Sequence, residues 1–229
     1  MEKRITVICG HYGSGKTEVS LNYAVFLASE NKKTALIDLD IANPYFRSRE
    51  LKSMLTSKGI DIYSDAFGYN TTTDLPALSA TARRPLESKD TFTVVDVGGD
   101  ASGARVLNQF RKYFLSDETD VICVLNAKRP ETETIQGVES HIVTIQAEIG
   151  LRVSGIINNT HLLRETTDKI IWEGVLFAEK IAQELQIPIK FHTCQEIFLE
   201  NIFMKMNREK IDTKLFPMTL YMRPTWLDR

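Results

Sequence analysis

The chain has 229 residues, enough for one large α/β domain and short for two, so a single domain over 1–229 is expected. Hydrophobic residues make up 43% and charged residues 25%, and with a net charge of −2 nothing in the balance argues for the strongly basic surface that coats nucleic acid. No apolar run approaches the ~20 residues of a membrane span, and the first strand leaves no room for a signal peptide, so a cytoplasmic protein is expected.

Ile5-Thr6-Val7-Ile8-Cys9 is a β-branched, apolar run that reads as a buried strand. Gly10-His11-Tyr12-Gly13-Ser14-Gly15-Lys16-Thr17 follows and fits G-x-x-x-x-G-K-[ST] at every fixed position. Val19, Tyr23, Phe26 and Leu27 then recur at helical spacing, and the helix is expected to run to about Asn31. Thr34 to Ile37 predicts a second buried strand, ending on Asp38-Leu39-Asp40. Beyond the Asn43-Pro44 step, a helix is expected over Arg49 to Ser57 and a short strand over Ile60 to Tyr63. Ser64 to Asp90 carries little pattern; Thr71 to Asp74 reads as a helix start and Arg83-Arg84-Pro85 as surface.

Thr91 to Val97 predicts a central strand running into Asp96-Val97-Gly98-Gly99-Asp100, with a helix from there to about Phe114 and a strand over Val121 to Leu125. Ile135, Val138, Ile142, Ile145 and Ile149 step by three and four, an amphipathic helix. Arg152 to Ile157 predicts a strand ending on Asn158-Asn159-Thr160, and Ile171, Val175, Ala178, Ala182 and Leu185 mark the next helix. Ile187 to Phe191 is expected as the last strand and Gln195 to about Met206 as the last helix. Leu215 to Met222 is apolar, but Pro217 and Pro224 break a helix there, so it reads as a packed tail rather than a membrane anchor. Strands alternating with helices predict an α/β fold: a mostly parallel sheet flanked by helices on both faces, of the P-loop NTPase kind. Cys9, Cys123 and Cys194 are far apart with no C-x-x-C, and buried reduced thiols are expected.

Ligands of open parallel sheets bind at the carboxyl ends of the strands. Those ends carry the glycine loop, Asp38 with Asp40, Asp96 with Asp100, and Asn158 with Asn159. In the loop, Gly10, Gly13, Ser14 and Gly15 let backbone N–H groups converge on one phosphate, and the helix N-terminus adds its positive dipole end. Lys16 reaches the β and γ phosphates, Thr17 ligates Mg²⁺, and Glu18 stands next to them. Asp96 fits the acid that holds Mg²⁺ through water, Asp38 a second holder of metal-bound water, and Asp40 an orienter of the attacking water. Gly98 lets the backbone approach the γ-phosphate, and Asn159 has the donor and acceptor needed for an adenine edge. The ligands expected are ATP and Mg²⁺.

Taken together, these residues resemble the MinD/ParA and nitrogenase-iron-protein class of P-loop ATPases over nearly the whole chain. Asp38-Leu39-Asp40 resembles the D-x-D of that class's switch I, and Asp96-Val97-Gly98-Gly99-Asp100 the D-V-L-G-D of switch II. Gly155-Ile156-Ile157-Asn158-Asn159 is similar to the strand that ends in an adenine-contacting Asn. The resemblance implies a single α/β domain that hydrolyses ATP, with Lys16, Asp40 and Asp100 in the catalytic set. It also implies an ATP-dependent homodimer and a protein partner whose identity stays open. Many members carry a lysine at the position of His11; here His11 when protonated, Arg47 or Arg49 takes its place, or His11 and Tyr12 only shape the loop. The iron protein's cluster cysteines are absent, so iron–sulfur binding is not implied. The alternative is an ATP-dependent transferase or ligase of the dethiobiotin-synthetase or cobyrinate-amidating type, with the 41–90 segment shaping a pocket for a small carboxylate. A GTPase is less well matched, because Asn126-Ala127-Lys128-Arg129 does not supply N-K-x-D.

Overall fold

The computed structural model describes residues 2–39, 49–64, 82–98, 107 and 110–222. Asp40, Arg47 and Asp100, the Asn43-Pro44 step and the expected helix start at Thr71 lie outside the described residues.

Eight strands form one sheet in the order β3-β2-β4-β1-β5-β6-β7-β8, and every described pair is parallel. They are β1 Ile5–Gly10, β2 Thr34–Asp38, β3 Ile60–Ser64, β4 Phe92–Asp96, β5 Thr119–Leu125, β6 Gly155–Asn158, β7 Ile189–Gln195 and β8 Leu215–Met218. The helices are α1 Lys16–Ser29, α2 Arg49–Ser57, α3 Arg83–Glu87, α4 Arg111–Phe114, α5 Ile135–Ile149, α6 Asp168–Leu185 and α7 Leu199–Arg208. A parallel sheet must be covered on both faces, and the side-chain period of two sorts each strand between two cores. Ile5, Val7 and Cys9 of β1 join Val121, Cys123 and Leu125 of β5 beneath α5 and the Ala178 face of α6. Ile8, Ile122 and Val124 turn the other way, toward α1 and α2. Each such buried aliphatic side chain contributes about 1.5–3 kcal/mol. The three cysteines are free and buried, with Cys9 and Cys123 opposite each other in register. No helix among the described residues is long and apolar enough to cross a membrane.

The helix boundaries follow local chemistry. Thr134 caps α5 by accepting from Gly137 N, and Gly150, in the left-handed region, closes it. Thr167 caps α6 in the same way. Several expectations are corrected. Arg83-Arg84-Pro85 opens the short helix α3, whose arginines face solvent while Pro85 and Leu86 are buried; proline suits a first helical turn. The expected strand from Arg152 begins only at Gly155, because Val153 N and Ser154 N bond to Gln146 Oε1 and Val121 O in the turn before it. Among the described residues the helix ending at Phe114 is the four-residue α4, and the last helix starts at Leu199, after a 3₁₀ turn over Glu196–Phe198.

The largest correction concerns the C-terminal part. The strand expected at Ile187 runs instead over Ile189–Gln195 and is not the last, because Leu215–Met218 pairs beside it as β8. Pro217 has no N–H to donate, yet β8 is the edge of the sheet, where one side of the strand needs no partner.

Candidate functional site

β1 lies between β4 and β5, so the loop that follows it opens at the middle of the carboxyl edge. Gly10 is the last residue of β1, opposite Val124, and α1 starts at Lys16 with no side chain capping it. Its first N–H groups therefore face the loop's concavity, the arrangement that takes an anion. Lys16 is buried and its Nζ donates to His11 O at 3.2 Å. An ammonium has three donors, so two remain for phosphate oxygens. Ser14 Oγ is buried without a partner among the described residues, the orphaned kind of group that a bound oxygen satisfies.

Positive φ, with a neighbour close by, calls for glycine at two positions after β1. Gly15 has φ 86°, and a Cβ there would overlap the Asn159 carboxamide nitrogen. Gly13 has φ 74°, and a Cβ would stand 2.8 Å from the Arg129 guanidinium carbon.

The acids of two neighbouring strands meet beside the loop. Asp38 at the end of β2 and Asp96 at the end of β4 are register partners, and both are buried. Asp96 Oδ1 accepts from Ser20 Oγ at 3.0 Å, which ties the acid to α1 one turn beyond Thr17. Val97 N donates to Ile8 O, and Gly98 is buried next to it. No cluster of three His, Cys, Asp or Glu among the described residues could hold a metal alone. The donor set fits Mg²⁺, which takes one or two protein oxygens and completes its shell with phosphate and water.

Asn159 lies on the other flank. Its Nδ2 donates to Ser14 O at 2.8 Å, and its Oδ1 accepts from Thr193 Oγ1 at 2.6 Å. The other N–H of the carboxamide makes no bond among the described residues and can donate to a ligand. Asn158 belongs to a separate buried chain: its Oδ1 accepts from Thr160, its Nδ2 donates to His192 Nδ1, and His192 Nε2 donates to Glu179 Oε1. Burial lowers the His192 pKa, so the ring is neutral and accepts at Nδ1.

A cavity of about 520 Å³ runs from the loop along these strand ends. Its lining includes Lys16, Thr17 and Glu18 of α1, Asn159 to His161 after β6, Leu163 and Ile171, Thr193 to Gln195 of β7, and Met218, Leu220 and Met222. Glu18 takes a structural role: its carboxylate accepts from the backbone N–H of Tyr221 and Met222. Burial pushes its pKa up to about 7, and those two N–H groups hold the rise in check. His11 is turned onto its own loop, its Nδ1 2.9 Å from Tyr12 O and 3.7 Å from Glu131 Oε2, its ring edge-on to His141. A carbonyl only accepts, so His11 Nδ1 carries the hydrogen. Tyr12 is 81% exposed.

Arg129 was not among the expected residues. Its Nε donates to Gly13 O at 2.9 Å, which puts a fixed cation on the rim of the loop. The signal for it is an arginine four residues after the strand beside β1. Asn126 is a second one: it ties the ends of β5 and β6 together through Lys128 N, His161 N and His161 O.

The sequence profile of the CobQ/CobB/MinD/ParA nucleotide binding domain matches residues 5–171. The chain belongs to this family of P-loop nucleotide-binding domains. No curated protein matches the sequence. Among solved structures, chloroplast FtsY from Physcomitrella patens is similar at TM-score 0.55 and 20% identity, over 84% of this chain and 59% of that one. FtsY from Mycoplasma mycoides gives 0.55 and 19%, over 84% and 60%. FlhF complexed with GTP/Mg(2+) gives 0.53 and 19%, over 84% and 66%. The chain thus spans about three-fifths of the length of the FtsY structures, and at this identity the likeness is one of fold.

Proposed function

We propose that the protein is a Mg²⁺-dependent ATP-binding protein and ATPase that acts as a nucleotide switch on a protein partner. The observation that carries this reading is the uncapped N-terminus of α1 behind the Gly10–Thr17 loop, with Lys16 holding two donors in reserve. Lys16 and the α1 amides neutralise the phosphates. Thr17, with Asp38 and Asp96 through water, would hold Mg²⁺, which when bound offsets charge between the β and γ phosphates. Asp40 is proposed as the water-orienting residue from its place after β2, and Asp100, the ATP-dependent homodimer and the partner are proposed on the resemblance alone.

ATP is preferred over GTP on the chemistry of the far end of the cavity. Guanine presents N–H groups at its Watson–Crick edge and needs a carboxylate or similar acceptor. The one carboxylate among the described lining residues, Glu18, is occupied by Tyr221 and Met222. The remaining N–H of Asn159 can donate to an adenine ring nitrogen, and Gln195 adds a carboxamide that can accept from the exocyclic amine.

Calorimetric titration of wild type and Lys16→Ala with ATP and GTP in Mg²⁺, alongside phosphate-release assays, tests the proposal. Wild type should prefer ATP, and Lys16→Ala should lose at least about 100-fold in affinity. Equal binding of the two variants would sink the phosphate-loop reading, and GTP preference the base assignment. Turnover that stays at background until a small carboxylic acid is supplied would favour the ligase instead of the switch.

A further inference from the structure

β8 lies four strands from β1, yet the chain leaving it returns to the helix that follows β1. Thr219 N donates to Asn22 Oδ1 and Asn22 Nδ2 donates to Thr219 O, both at 2.8 Å. Two residues on, Glu18 accepts from Tyr221 N and Met222 N. Asn22 and Glu18 are one turn apart on α1, so they present a two-point latch along one line of the helix. Apolar packing adds to it, with Tyr221 and Met222 lying against the core that holds Tyr23, Leu27 and Phe191.

The latched segment lines the cavity. Met218, Leu220 and Met222 line it together with Lys16 at the phosphate end and Asn159 between. Leu220 is 39% exposed although it lines a cavity, so an apolar surface is left facing the ligand space. A nucleobase has apolar faces and a polar edge. The strand ends supply groups for the edge, and Met218, Leu220 and Met222 supply an apolar surface beside Leu163 and Ile171.

We infer that Met218–Met222 is a strap that forms the apolar wall of the nucleobase subsite, with Leu220 and Met222 packing on a face of the base and Asn22 and Glu18 holding them there. This rests on the nucleotide reading above and adds to it a binding element from the far edge of the sheet. The strap selects for a base as such, while the loop takes the phosphates. Base-free triphosphate therefore separates the two.

The experiment titrates wild type, Leu220→Ala, Leu220→Met and Asn22→Ala with Mg-ATP and with Mg-tripolyphosphate. Leu220 is partly exposed, so its variants keep the fold even if Asn22→Ala does not. Leu220→Ala should lose roughly fivefold to tenfold in ATP affinity while tripolyphosphate stays within about twofold. Leu220→Met, which keeps the apolar area, should bind both ligands as wild type does. A Leu220→Ala protein that binds ATP unchanged, or weakens equally for both ligands, overturns the strap and leaves the nucleotide reading standing. A wild type that binds neither ligand removes the nucleotide reading, and this inference with it.

Discussion

Asn159 Nδ2 lies 2.8 Å from the carbonyl oxygen of Ser14, so the turn after β6 holds the loop after β1 across the intervening β5. The same carboxamide is anchored from behind by Thr193 on β7. The glycine loop and the ends of β6 and β7 are thus fastened through one residue, and a Cβ on Gly15 would overlap that carboxamide.

Asn159→Ala should therefore do two things at once. It leaves the Thr193 hydroxyl and the Ser14 carbonyl without their partner, a stability loss of about 1–3 kcal/mol. It also loosens the loop, so affinity should fall for ATP, GTP and tripolyphosphate alike, with a further loss for ATP from the remaining N–H. Competition binding with the three ligands separates these parts. A loss confined to ATP would show that the tie to Ser14 carries no weight in phosphate binding.

Arg129 offers a sharper test of the rim. Its Nε bond to Gly13 O is made by a planar, always charged group, and a lysine cannot copy that geometry. Both Arg129→Ala and Arg129→Lys should weaken triphosphate binding, the alanine by roughly tenfold and the lysine by less. Stopped-flow binding of a fluorescent ATP analogue gives both numbers. Alanine behaving like wild type would make Arg129 a bystander.

The central sheet and its phosphate loop are legible in the residues because each depends on near neighbours. The alternation of Ile5, Val7 and Ile8 with their partners in β5 and the Thr134 and Gly150 boundaries of α5 are local patterns. β8 is hidden by Pro217, which reads as a breaker and is tolerated only because the strand is at an edge. The bond from Tyr221 to Glu18 joins positions 203 residues apart, and nothing local marks either end. Glu18 follows Lys16-Thr17 in the sequence, and only the fold shows that its carboxylate accepts from Tyr221 N and Met222 N. The register that puts Asp38 beside Asp96 is likewise a property of strand order, not of either segment alone.

Asp96→Asn should keep the fold, since the amide matches the carboxylate in shape and can still accept from Ser20. What it removes is a buried negative charge beside the proposed site for Mg²⁺. ATP binding without metal should be unchanged, the added affinity from Mg²⁺ should disappear, and single-turnover hydrolysis should slow by on the order of 100-fold. Hydrolysis at the wild-type rate with full Mg²⁺ dependence would move the metal-holding role to Asp38.

Glu18 makes stability depend on pH in an unusual direction for a carboxylate. Its folded pKa of about 7 stands above the ordinary 4.5 because the group is buried. Between these values the folded state holds a proton that the unfolded chain has lost, so stability falls as pH rises from 4.5 to 7 and stays low above it. The full effect is on the order of 3 kcal/mol at pH 8. His192 works the other way: its lowered pKa costs stability as pH falls below 6.5. The comparison with Glu18→Gln isolates Glu18, because His192 is the same in both proteins. The glutamine keeps an oxygen for the Tyr221 and Met222 amides and carries no charge to desolvate. Thermal melts from pH 5 to 8 should show the glutamine variant level with wild type at the acid end and more stable by several degrees at pH 8. Parallel curves across the whole range would mean that the Glu18 carboxyl is not held in a buried, proton-retaining setting by the strap.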